Sequence, residues 1–142
     1  MSQVADVVRD DLAATFADSL ERERQLGRTY RQEMQAAWSA RVRRLWEEGW
    51  AAKRRHEDAL LRLLGASGNA STEDANAPRS APSAREVLSW LYEQERFLAL
   101  RYREGARLAP DSETRRVLDQ LADQQQRLVE RIRETYRDYS AS

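Results

Sequence analysis

Glu23 and Glu95 stand 72 positions apart, and at that constant offset LERERQLGRTYR, beginning at Leu20, aligns without a gap on YEQERFLALRYR, beginning at Tyr92. The register pairs Glu21 with Glu93, Arg24 with Arg96, Leu26 with Leu98, Tyr30 with Tyr102 and Arg31 with Arg103. It continues beyond these segments, setting Arg43-Arg44 on Arg115-Arg116, Lys53 on Gln125 and His56 on Leu128. A chain of 142 residues is long enough for one modest core and too short for two. The two halves therefore have to contribute equivalent faces to a single core.

The faces are helical. Apolar or small residues recur in steps of three and four at Leu12, Phe16, Ser19, Glu23, Leu26, Tyr30 and Ala37, and again at Val42, Trp46, Gly49, Lys53, His56, Leu60 and Leu63. The second half repeats the rhythm at Leu88, Leu91, Glu95, Leu98, Tyr102 and Ala109, then at Leu118, Leu121, Gln125, Leu128, Ile132, Thr135 and Tyr139. Composition agrees: 34% of residues are charged, against a usual share of about 25%, and glycine and proline are few. The expectation is an all-α chain with helices at about 10–37, 40–64, 84–108 and 112–139. Ser39 is placed to cap the second helix, Ser83 with Glu86 forms a capping box for the third, and Pro110-Asp111 separates the third from the fourth. Short turns inside each half make each helix pair an antiparallel hairpin.

Between the halves lies GASGNASTEDANAPRSAP, residues 65–82, which holds two of the three prolines. Fully extended, 18 residues reach about 60 Å, whereas a 26-residue helix is about 39 Å long. The segment can thus run the length of a bundle and join parallel second and third helices, giving an antiparallel four-helix bundle of two hairpins with a long crossover. The other reading is a plain disordered linker.

Charge excludes some functions. The 24 basic and 24 acidic residues cancel, so no overall field draws the chain to nucleic acid. The opening MSQVADVVRDDLAATF has acids where a secretion signal needs a basic region, and no apolar run reaches membrane-spanning length. With no cysteine to form disulfides or thiolate metal sites, the expected setting is the cytoplasm, with neither membrane nor nucleic acid as partner. RVRR at 41–44 could bind phosphate, but Glu47 and Glu48 follow, which favours a solvated helix face. There is no nucleophile beside a base and no phosphate-binding glycine loop.

The polar interruptions carry the chemistry. Glu23, Lys53, His56, Glu95 and Gln125 all fall on the core-facing stripe near mid-helix, where a plain bundle has Leu or Ala. They are expected to meet in one buried layer. An isolated buried carboxylate is costly, so a metal, a counter-charge or hydrogen bonds must compensate each glutamate.

A glutamate followed seven residues later by tyrosine, with Glu-x-x-His on the next helix and the whole repeated, is the pattern of ferritin-like di-iron carboxylate proteins, rubrerythrins especially. The chain resembles that family over nearly all its length outside residues 65–82, with RRVLDQLADQQQRLVERIRETY similar to the family's closing helix. The resemblance implies a ferritin-like bundle, metal ligands at Glu23, His56 and Glu95, and Tyr30 and Tyr102 close to the metal centre, although aromatic residues at core positions also serve simply as packing. It departs where Lys53 and Gln125 replace the two bridging carboxylates and Leu128 replaces a histidine, so the two-metal centre is degenerate.

Two states of the layer stand against each other. In one, protonated Lys53 takes the metal's place between Glu23 and Glu95, with no cofactor; in the other, one Fe, Mn or Zn sits on Glu23, Glu95 and His56. Functionally these correspond to a non-enzymatic structural or protein-interaction bundle and to a metal-handling protein. Trp38, Trp46, Trp50 and Trp90, with Leu45, Ala52, Ala59 and Leu64 broadening the second helix's apolar face, either fill the core or form a homodimer interface.

Overall fold

The computed structural model describes residues 2–36, 39–65 and 83–141, with side chains at 11–36, 39–65 and 83–139. Four helices make up the fold: α1 (Ser2–Met34), α2 (Ala40–Leu64), α3 (Ala84–Leu108) and α4 (Ser112–Ala141). The ranges of α2 and α3 are those read from the pattern. α1 begins eight residues before the expected start and ends three before the expected end, because the apolar stripe, not the helix, starts at Leu12. No glycine or proline interrupts residues 2–11, so the helix propagates beyond its buried part. Trp38 and Ala37 fall outside the described residues, as does the connection from 66 to 82.

Local chemistry sets the other ends. Ser39 Oγ accepts from Val42 N at 3.3 Å, and Ser83 Oγ accepts from Glu86 N at 3.2 Å, so both expected caps are formed. The Asp111 carboxylate accepts from Thr114 N at 2.7 Å and opens α4. α2 closes on Gly65 at φ 71°, whose N–H turns back to the carbonyls of Leu61 and Arg62.

Cross-helix pairs give the topology. In α1 and α2, Tyr30 lies against Gly49 and Arg24 pairs with Glu57, so the two run antiparallel. In α3 and α4, Arg85 reaches Tyr136 and Gly105 faces Leu118, with the same result. Asp18 meets Arg101 and Tyr30 meets Glu95, which sets α1 antiparallel to α3. Glu48 meets Arg131 and Lys53 meets Gln125, which sets α2 antiparallel to α4. α2 and α3 are therefore parallel and lie on one diagonal of a four-helix bundle, α1 and α4 on the other. The end of α2 and the start of α3 consequently stand at opposite ends of the bundle, one helix length apart.

The predicted stripe is the core. Leu12, Phe16, Leu26, Trp46, Leu60, Leu88, Leu91, Leu98, Leu118, Leu121, Leu128 and Ile132 are all buried. Tyr139 is instead 42% exposed, because α3 begins opposite Tyr136 and Tyr139 projects a turn beyond it. Leu45, Ala52 and Ala59 are buried and Trp50 and Leu64 half-buried against the core, so α2's broad apolar face meets the other helices. Among the described residues, no helix is long and apolar enough to cross a membrane.

At Gly49 the backbone of α2 packs directly on the Tyr30 ring of α1. A Cβ there would collide with Cδ1, Cε1 and Cζ of the buried Tyr30 ring. Gly49→Ala should therefore displace Tyr30 and cost about 1–3 kcal/mol in urea unfolding. Gly105→Ala should cost less, since the nearest atom its Cβ would meet is the movable Leu118 Cδ1, at 3.3 Å, with Phe16 only at van der Waals distance.

Candidate functional site: a buried charged layer

Glu23, Lys53, His56, Glu95 and Gln125 meet at mid-bundle and are each no more than 1% exposed. Each helix supplies at least one of them at a core position, so four separate heptad registers converge on one layer.

Lys53 is its centre. Nζ donates to Glu95 Oε1 at 2.5 Å and to Gln125 Oε1 at 3.0 Å, and it ion-pairs with Glu23 Oε1 at 3.0 Å. An ammonium has three N–H bonds and no acceptor; two are spent on Glu95 and Gln125, while Glu23 Oε1 is held by charge attraction and accepts no hydrogen bond from a described residue. Glu95 Oε1 also accepts from Gln125 Nε2, which donates in addition to the Glu95 carbonyl at 2.8 Å.

The tyrosines cross over. Tyr30 donates to Glu95 Oε2 at 2.7 Å, and Tyr102 donates to Glu23 Oε2. Seven residues along one helix is about 10.5 Å, too far for a tyrosine to reach its own helix's glutamate, whereas the antiparallel neighbour brings the other glutamate level with it. The two bonds interchange under the 72-residue offset, and Lys53 bonds to Gln125, its own counterpart at that offset. Such self-pairing is what residues on a two-fold axis do. Burial, reinforced by the facing carboxylates, drives both phenols well above their ordinary 10, so they remain donors.

His56 breaks the symmetry, because its counterpart is the apolar Leu128. Nδ1 lies 3.3 Å from Glu23 Oε2, and since a carboxylate only accepts, Nδ1 carries the proton. Nε2, left as the acceptor, lies 3.2 Å from the side-chain amide of Gln124, whose NH2 is the group able to donate to it. Gln124 escaped the sequence reading because it flanks the stripe that runs through Leu121 and Gln125. Buried Glu33 was missed too, although it fills the gap in the stripe between Tyr30 and Ala37 and its place there was legible from the spacing.

The charges hold one another in their ionised forms. Burial pushes Glu23 up, but Lys53, His56 and Tyr102 together outweigh it and hold the carboxyl at about 2, against an ordinary 4.5. Burial pulls Lys53 down, but Glu23 and Glu95 more than offset it and keep the ammonium above its ordinary 10.5. Among the described residues, no three or more His, Asp or Glu side chains are gathered into a set that could hold a metal ion. Glu23, His56 and Glu95 do share the layer, but Lys53 Nζ stands between the carboxylates.

Two outcomes follow. A depressed Glu23 stabilises the fold above its unfolded value and loses that contribution as pH falls towards about 2; a raised Lys53 stabilises below 10.5 and loses its contribution as pH rises past it. Melting temperature followed by circular dichroism should be flat between about pH 5 and 10 and fall on either side. Lys53→Ala, which strands two buried carboxylates, should cost about 3–5 kcal/mol. The triple change Lys53→Met, Glu23→Gln, Glu95→Gln should cost less, and equal losses in denaturant titrations would contradict the charge balance described.

Comparison of the chain with protein-family models, with curated proteins and with solved structures returned no match.

Proposed function

We propose that this chain is a ferritin-like bundle in which a lysine has taken the metal's place, and that it acts without catalysis as a structural or protein-interaction module. The observation that carries the reading is Lys53 Nζ within 2.5–3.0 Å of Glu95, Gln125 and Glu23. A divalent ion entering there would face a fixed ammonium, and the bridging carboxylates a two-metal centre needs are absent. The residues present do not fit that group. The gapless 72-residue register and the interchanging Tyr–Glu bonds support descent from a duplicated helical hairpin.

On this reading the layer selects one helix register, since any slip would leave Lys53 or a glutamate buried without its partner. Activity then lies on the surface. Trp90, Phe97, Leu100 and Leu108 are 46%, 37%, 62% and 46% exposed along the outer side of α3. The positions equivalent to the first three on α1 are Asp18, Gln25 and Arg28. An apolar strip on one repeat, absent from the other, supports association through α3, with a second copy forming a homodimer or with another protein.

A second reading, one Fe, Mn or Zn on Glu23, His56 and Glu95 serving iron handling or redox chemistry, draws on the 3.3 Å approach of His56 to Glu23. Elemental analysis of untagged protein, followed by titration with Fe(II), Mn(II) and Zn(II), separates the two. The expected result is no stoichiometric metal, with sedimentation giving a dimer that Trp90→Glu with Leu100→Glu dissociates. One metal per chain, lost on Glu23→Ala, would replace the first reading with the second.

A further inference from the structure

The contacts between α2 and α4 differ at the two ends of the bundle. Towards the start of α2, Glu48 and Arg131 join the helices through two hydrogen bonds of 3.0 and 3.2 Å, and Arg41 pairs with Asp138. Shifting Glu48 and Arg131 by the 72-residue offset gives Gln120 and Ala59, which cannot form an ion pair. With the bridge missing, the helices leave a groove of about 430 Å³ between the end of α2 and the start of α4. That volume is in the range of small-molecule sites.

The chemistry of the groove is uneven in the way an amphipathic anion requires. Ala59 and Leu121 are buried and Val117 half-buried, giving an apolar floor. Arg55 and Arg62, two turns apart on α2, stand along the edge. Neither guanidinium makes a hydrogen bond, ion pair or ring contact with a described residue, whereas that of Arg116 opposite is already paired with Glu113 at 2.7 Å. Asp58 lies between the two free arginines on α2 without bridging to either. With Arg116 and Glu113 paired, the two remaining guanidinium groups outweigh the single carboxylate of Asp58 by one charge, a local excess suited to carboxylate or phosphate.

Gln124 also lines the groove, and its side chain lies 3.2 Å from Nε2 of His56. His56 is fully buried, so this amide is what stands between the groove and the charged layer.

We propose that the α2–α4 groove binds a small organic anion, its carboxylate or phosphate on Arg55 and Arg62 and a short apolar arm on Ala59, Val117 and Leu121. The site does not depend on the metal content of the layer. It arises because one half of the repeat kept its cross-helix ion pair and the other lost both partners.

Hexyl phosphate, hexanoate and inorganic phosphate, each titrated into isotopically labelled protein at constant ionic strength and followed by NMR, test this. The expected result is saturable shifts confined to residues 55–62 and 117–124, including the Gln124 side-chain amide. Hexyl phosphate should bind more tightly than inorganic phosphate. The exposed double change Arg55→Gln, Arg62→Gln should weaken binding by about tenfold or more, in line with the loss of one or two charge-assisted hydrogen bonds. Arg127→Gln, at the position equivalent to Arg55 in the other half, should leave binding unchanged. Shifts that fail to saturate, that spread over the other surface arginines, that ignore the apolar arm or that survive the double change with its fold intact would each overturn the proposal. Preference between hexyl phosphate and hexanoate identifies the head group.

Discussion

Two carboxylates cannot stay ionised inside a four-helix core without a cation, and that requirement organises this structure. Lys53 meets it by hydrogen-bonding to Glu95 and Gln125 and ion-pairing with Glu23, on three other helices. The stabilisation this yields over an all-leucine layer is small, because the cost of removing the charges from water offsets most of their attraction. What it yields instead is discrimination: a one-turn slip in any helix breaks at least one of these pairs, whereas a leucine layer would tolerate it.

The layer is nearly two-fold symmetric, and its departures from symmetry are informative. Tyr30 and Tyr102 exchange partners between the halves, and Lys53 faces Gln125 across the axis. Replacing one of two equivalent axial residues with a cation and the other with a neutral amide avoids the repulsion that two lysines would suffer there. His56 against Leu128 makes a second break, and it ties the charged layer to Gln124 at the rim. The open groove lined by Gln124 and the apolar strip on α3 are asymmetries of the same kind, in which one half of the chain carries polar side chains at positions where the other does not.

Much of the architecture was legible in the residues. Heptad-like spacing marked all four helices, serine caps marked the starts of α2 and α3, and the interruptions at Glu23, Lys53, His56, Glu95 and Gln125 marked the layer. The reading erred at the edges. α1 extends beyond its buried stripe, because helix propagation needs only the absence of breakers, and Tyr139 leaves the core, because its neighbour helix ends before it. The broad apolar face of α2, open to reading as an interface, is turned inward, while four of the five exposed large apolar residues among those described lie on α3.

From the sequence alone came the helices, their buried faces and the identities of the polar residues sharing one level, since periodicity and burial cost are properties of each helix by itself. Which residues actually touch was decided only by packing. The crossed Tyr–Glu bonds, the seat of Tyr30 on Gly49, the bond from His56 to Gln124 and the groove between α2 and α4 depend on the azimuth and direction of neighbouring helices. A one-dimensional pattern places a residue on a helix face; it does not say which side chain across the core, four helices away or one, completes its valences.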